Sequence, residues 1–182
     1  MKKYYKNLKL LEKNYVYSKE MEHDACGVGL IASTEGKKSR QVVKYGIEAL
    51  KAVWHRGAVD ADGKTGDGAG IHVEIPKDFF IEKVEVTGHT YDNCEICVGM
   101  IFLPRNDYDA QESCKTIVES ELTKNNFNIF GWRQVPVNPK VLGVKAFQTM
   151  PEIIQVLFKS NDQNLLNKKL ERKIYETRRK IE

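Results

Sequence analysis

No stretch of the 182 residues approaches the roughly eighteen consecutive apolar residues of a membrane span. The basic N-terminus is followed by no apolar run, so it does not read as a secretory signal. Cysteine is scarce: positions 26, 94, 97 and 114 supply no disulfide framework. Cys94 and Cys97 form a lone CxxC, with no second pair and no suitable histidine pair to complete a four-ligand zinc site. A redox CxxC opens a helix, whereas this one leads into the apolar run CVGMIFL. The phosphate-loop spacing GxxxxGK[ST] is missing, as are internal repeats and a linker. These absences exclude a membrane protein, a disulfide scaffold, a zinc module and a P-loop enzyme. They leave a soluble, cytoplasmic protein of one unit, expected to hold no metal.

What is present is globular in composition, 41% hydrophobic and 30% charged. The net charge of +4 sits at the ends. Residues 1–25 hold six Lys against four acids, and residues 163–182 hold seven Lys or Arg against three Glu. Those ends contribute +2 and +4, so the middle is −2. The basic character therefore reads as solvated terminal faces, and nucleic acid is not an expected partner.

Residues 27–33 read as a strand ending in the turn Ser33-Thr34-Glu35-Gly36. Ser39 can cap a helix over about 40–54, where Val42, Val43, Gly46, Ile47, Leu50, Val53 and Trp54 fall on one stripe. Gly57 is placed to end it in a left-handed conformation. GAVDADGKTGDGAG (57–70) is a long loop with five glycines, of the kind that brings backbone close to something. It leads into a strand over 71–75, stopped by Pro76, and then a short helix over 77–81. After a polar, irregular 82–95, the unbroken apolar run 96–103 predicts a strand buried on both faces. A helix follows over about 109–125, capped by Asp107 or Asp109, with Ala110, Cys114, Ile117, Val118, Glu121 and Leu122 on its stripe. Strands over 128–137 and 153–158 flank a helical or turn segment at 139–147. A last helix covers 163–182, with Leu166, Leu170, Ile174, Tyr175 and Ile181 on its apolar side. It meets no Gly or Pro stop, which hints at a sequence cut rather than finished. This order of elements predicts a layered α/β or α+β domain.

The chemistry turns on EHDACGVGLIA (22–32), which sets Cys26 between a charged leader and an apolar run. A lone cysteine there can be plain, inert core. It can also be a nucleophile released by cleavage after Ala25. The new α-amine, with a pKa near ~8, would then accept the proton of a thiol near ~8.5. That pairing suits acyl transfer: thiolate attack on an amide, a tetrahedral oxyanion, loss of ammonia or amine, then thioester hydrolysis.

The wider pattern favours the second reading. ACGVGLIA, a helix of about fifteen residues and then HRGAVDADGKTGDGAGI together resemble the class II glutamine amidotransferase family. Within it, the match is closest to the N-terminal glutaminase region of the glutamate synthases. VGMIFLP (98–104), GWRQVPVNPKVLG (131–143), MPEIIQVLF (150–158) and the final KIYETRRKIE continue the likeness in the same order, over about residues 22–182. GWRQVPVNPKVLG argues against the amidophosphoribosyltransferase branch.

The resemblance implies an N-terminal-nucleophile αββα sandwich, an α+β fold of two antiparallel sheets between helical layers, incomplete at the C-terminus. It implies a leader, 1–25, and the first part of an amidotransferase domain, 26–182. Cys26 matches the nucleophile, and its α-amino group would be the base. Arg56 and Gly57 match positions beside it, where the Arg favours thiolate charge and the Gly carbonyl orients the amine. In the bland alternative, Arg56 caps a helix end and Gly57 turns the chain. Asp67, Gly68 and Gly70 match a turn that reads as structural. A His55 base is unnecessary beside an N-terminal amine, and His23 would leave with the leader. The substrate is glutamine. FMN and an iron–sulfur cluster are expected only in the full-length parent, and the partners are the rest of the synthase and a small electron-transfer subunit.

One departure matters. The family's HSRFST-type arginine motif and HNGEIN-type Asn-Gly pair do not occur, and the sequence has no Asn-Gly dipeptide at all. The substrate clamp and oxyanion donors would therefore lie beyond Glu182, and the chain alone is expected to be inactive. A non-catalytic half-domain, serving as a binding or regulatory module through its basic ends, is the competing expectation.

Overall fold

The computed structural model describes residues 6, 9, 10, 13, 27–54, 57–162 and 164–182. The chain divides into two compact units rather than the one expected. The first holds the described residues up to Ala58, with Asp67–Ile71; the second holds Val59–Gly66 and His72–Glu182.

The first unit is built on α1, Arg40–Ala52. The Ser39 side chain accepts the Gln41 N–H at 3.1 Å, the predicted cap. Its apolar stripe contributes no fully buried residue, and at Gly46 the Ile71 side chain crosses the helix. The turn after Ser33 forms, with Gly36 N–H donating to Ser33 O at 3.2 Å and Gly36 at φ 66°. The strand expected over 27–33 does not. A strand is completed by a ladder partner, and among the described residues none pairs with this segment; Val28 is 91% exposed. The run 71–75 likewise joins no strand ladder among the described residues, and Ile71, Val73 and Ile75 are exposed.

The second unit is a three-stranded antiparallel sheet with helices on both faces. Its strands are β1 (Cys97–Leu103), β2 (Phe127–Gln134) and β3 (Glu152–Ser160), in the order β1-β3-β2. The last strand in sequence lies in the middle, its five central residues Ile154 to Phe158 all buried. Register runs Cys97 opposite Phe158 through Leu103 opposite Glu152, and a bulge between Ile129 and Gly131 bends β2. Gly99 is required where β1 crosses β3: a Cβ there would lie 2.7 Å from Val156 Cγ1.

One face packs against α3 (Tyr108–Lys124) and α5 (Asn167–Ile181). Cys97, Val118, Leu122, Phe127, Val156, Phe158 and Leu170 form that core. On the other face α2 (Lys77–Val86) sets Phe80 and Val84 against Ile96, Phe130 and Leu157. Helix α2 runs five residues past the expected stop. Val84, four residues on from Phe80 and fully buried, carries it into a stretch whose charges suggested loop.

Three further expectations change. β1 is not buried on both faces, because it is an edge strand beyond the reach of α2 at its far end. Met100 is 48% and Phe102 63% exposed. The final helix starts at Asn167, not 163. Its deepest residue besides Leu170 is Thr177, whose hydroxyl donates to Lys173 O at 2.8 Å, while Leu166 and Tyr175 face out. β2 ends at Gln134, before Pro136, and only a bond from Val135 N–H to Ile153 O extends its pairing. The segment 139–147 is a 3₁₀ turn, Pro139–Val141, followed by α4, Val144–Thr149.

Candidate active site

Of the residues assigned to catalysis, Cys26 and Arg56 lie outside the described residues, as does His55. Gly57 is described. Its N–H donates to Trp54 O at 3.0 Å, closing the turn after α1. It is not the residue that caps α1. Val53 ends the helix instead, its N–H bonding Ala49 O and Lys51 O.

The glycine-rich segment after Gly57 is a hairpin, not an open loop. In the first unit, Asp67 holds Ala58 twice. The carboxylate Oδ2 accepts the Ala58 N–H at 2.9 Å, and the Asp67 N–H donates to Ala58 O at 3.2 Å. Asp67 thus ties the residue after Gly57 to the TGDGAG turn, which physically couples the two halves of the motif. Gly68 and Gly70 face open space.

In the second unit the hairpin continues. Val59 and Gly66 bridge, and Asp60 N–H donates to Thr65 O at 2.7 Å. Asp62 organises the tip. Its Oδ1 accepts the N–H groups of Thr65 (2.6 Å) and Lys64 (2.9 Å), and its Oδ2 accepts the Thr65 hydroxyl (2.5 Å). Those donors, the Thr65 hydroxyl foremost, hold the carboxyl well below the usual carboxylate range. Oδ2 also accepts the Val144 N–H at 3.1 Å, and Lys145 Nζ pairs with Asp60 at 2.6 Å. The approach needs a glycine before Val144: a Cβ on Gly143 would stand 2.5 Å from Asp62 Oδ2 and closer still to Thr65. Sequence reasoning missed Asp62 and Gly143. The only local signal was Asp-x-x-Thr, which suits a side-chain-closed turn.

Cys94 and Cys97 are ill-suited to thiolate chemistry. Burial pushes the Cys97 thiol up to about 12. Burial, helped by the Asp92 carboxylate, pushes Cys94 up to about 11. Cys97 belongs to the core under α3 and α5 and Cys94 to that under α2, so the CxxC is split between two cores. Among the described residues no three His, Cys, Asp or Glu side chains are grouped to hold a metal ion. No described helix is long and apolar enough to cross a membrane. His89 has a local role, its Nδ1 3.1 Å from the Thr87 hydroxyl and its ring edge-on to Phe130.

Comparison with known proteins bears on this hairpin and on the segment that precedes it. The chain is 54% identical over 166 residues to the glutamate synthase [NADPH] large chain of Azospirillum brasilense, covering 91% of this chain and 11% of that one. It is 39% identical over 175 residues to the ferredoxin-dependent glutamate synthase of Pyropia yezoensis, covering 96% and 11%. It is 34% identical over 167 residues to the glutamate synthase [NADPH] large chain of Bacillus subtilis, covering 92% and 11%. The chain therefore spans about a tenth of the length of these relatives. The family model "Glutamine amidotransferases class-II" matches residues 26–182, and the chain belongs to that family.

Proposed function

We propose that this chain is the N-terminal, glutamine-hydrolysing part of a glutamate synthase. The observation that carries the reading is where the family match begins: at residue 26, the cysteine. Residues 1–25 are a leader, and cleavage after Ala25 makes the Cys26 amine the general base. The amine takes the thiol proton and the thiolate attacks the side-chain amide carbon of glutamine. The tetrahedral oxyanion collapses with loss of ammonia, the departing nitrogen receiving the proton from the amine. Water then attacks the thioester, releasing glutamate and restoring the thiol. Arg56 favours thiolate charge, and the Gly57 carbonyl orients the amine. Asp67, by holding Ala58, fixes the peptide that follows Gly57.

The ammonia would serve glutamate formation from 2-oxoglutarate elsewhere in the parent synthase, the partner of this chain, with a small electron-transfer subunit as a further partner. FMN and an iron–sulfur cluster belong to that parent. Cys94 and Cys97, held as thiols in separate cores, do not fit a cluster, and no step here passes through one. The three-stranded sheet would be one layer of the two-sheet sandwich. The exposed apolar residues of segments 27–33 and 71–75, Val28, Leu30, Ile71, Val73 and Ile75 among them, support a second layer.

The sequence lacks the Asn-Gly oxyanion pair. Loss of a single such donor costs ~10²–10³ in rate, so these 182 residues alone should hydrolyse glutamine at least that much more slowly than an intact glutaminase domain. A comparable rate would overturn this. Mass spectrometry of the purified chain tests the nucleophile. A mature N-terminus at Cys26 supports it, and loss of that processing in Cys26→Ala strengthens it. Retention of residues 1–25 in a protein that hydrolyses glutamine refutes the amine-base mechanism.

A further inference from the structure

An open cleft of about 410 Å³ lies where the turn after β1 meets the end of α4, lined among others by Phe102, Arg105, Asn106, Gln148 and Met150. Its lining lies wholly in the second unit. Its size falls within the range of small-molecule sites.

Arg105 distinguishes it from a surface hollow. The guanidinium lies over the Phe147 ring, 4.6 Å from the centroid. A guanidinium held over a ring face can still present its N–H donors to a second partner. The backbone below it is fixed too. Buried Gln111 on α3 donates from Nε2 to Pro104 O at 2.7 Å and to Arg105 O at 3.2 Å. Among the described residues Arg105 has no carboxylate partner, although acids follow it closely in sequence. Asp107 is engaged in capping α3 through the Ala110 N–H, and Glu112 pairs with Lys115. Arg105 is thus half-buried and held over Phe147, with no counter-charge among the described residues. Beside it, Phe102 is 63% exposed and Met150 adds a second apolar wall. Asn106 and Gln148 supply amide groups at the rim.

We propose that this cleft binds a small organic carboxylate, the carboxylate meeting the Arg105 N–H edge in a two-pronged pair and the apolar body resting on Phe102 and Met150. A planar carboxylate matches the guanidinium fork in a way that a bare spherical anion does not. The apolar wall selects a ligand with a flat or aliphatic body over a free inorganic ion.

The test is NMR titration of the isotope-labelled full chain with sodium benzoate, using benzamide and inorganic phosphate at matched ionic strength as controls. Benzoate should shift the resonances of Phe102, Arg105 and Phe147 saturably, with a dissociation constant on the order of millimolar, as suits so small a ligand. Arg105→Gln should weaken binding at least tenfold, while Arg105→Lys should recover only part of it. Phe147→Leu, which keeps the charge but removes the stack, should weaken it severalfold. Equal shifts with benzamide, equal or tighter binding of phosphate, or unaltered benzoate binding by Arg105→Gln would each overturn the proposal. The unchanged spectrum of the remaining residues in each variant establishes that the fold is intact.

Discussion

Asp67 accepts the Ala58 N–H through its side chain and bonds Ala58 O through its own backbone, closing a ring across the base of the hairpin that follows Gly57. An exposed side-chain bond to a backbone N–H is worth about 1 kcal/mol net. Asp67→Ala should therefore lower the unfolding midpoint by about 2–4 °C. Hydrogen exchange at the Ala58 amide should quicken, with the amides of α2 and α3 unchanged. If Ala58 exchanges at the wild-type rate, the side-chain bond does not form in solution.

Gly143→Ala should loosen the hairpin tip. The added methyl meets Asp62 Oδ2 and Thr65, and overpacking of this kind costs about 1–3 kcal/mol. Faster exchange at the Thr65 and Val144 amides is the readout, together with a lower denaturant midpoint. A variant as protected as the parent would show that this approach is looser than described.

The same latch carries a pH signature. The folded Asp62 carboxyl is depressed, so its contribution is fully present above the unfolded value near ~3.9 and is lost as the pH falls towards the folded one. Carboxyl titration followed by NMR should find Asp62 still ionised at about pH 3, where ordinary aspartates are mostly protonated. Titration at the ordinary value would remove the bonds to Lys64 and Thr65 from the solution structure.

The buried thiols give the opposite limb. The folded thiols of Cys94 and Cys97 are raised from an ordinary 9.0 to about 11 and about 12. A neutral thiol favours the fold, so stability is complete below pH 9 and declines as the pH rises towards those values. Each such proton contributes at most about 1.4 kcal/mol per pH unit to the slope. Cys97→Ala should show a shallower alkaline decline in denaturant-measured stability between pH 9 and 11. It should also leave native-state alkylation at pH 7.5 unchanged, because Cys97 is not the thiol that reacts.

Substitutions in the sheet should separate sharply by position. Leu157→Ala, at the centre of β3 with no exposed surface, should cost about 2–5 kcal/mol. Phe102→Ser on the outer strand should change stability by less than about 0.5 kcal/mol in either direction. Equal costs measured by urea denaturation would mean that Phe102 is covered in solution.

The parts of this fold that were legible in the sequence are those whose information is local. Asp107 caps α3 through the Ala110 N–H at 2.9 Å, and Ser39 caps α1, both as expected from residue type and spacing. The runs of β1, β2 and β3 were each located because an apolar segment of strand length lay between turn-forming residues. What failed depended on partners. GVGLIAS and IHVEI have strand composition, but composition does not supply a neighbouring strand. β1 appeared doubly buried because a sequence does not state which strand is at the edge. Asp62 and Gly143 lie 81 positions apart, and nothing at either position announces the other. At the candidate active site, the sequence placed the end of α1 near Gly57, but the helix is capped earlier, at Val53.

The central place of β3 governs the order in which the sheet can be made. Among the described residues β1 and β2 each pair with β3 and not with each other. On a ribosome, β1 is complete at Leu103, but its ladder is completed only when Phe158 has been added, 55 residues later. At a synthesis rate of about 5–20 residues per second, that leaves CVGMIFL waiting roughly 3–11 s. During that interval only local structure such as α3, whose bonds are all short-range, can form. Until then the uncharged strand keeps its edges unpaired, and slower translation between β1 and β3 lengthens that exposure.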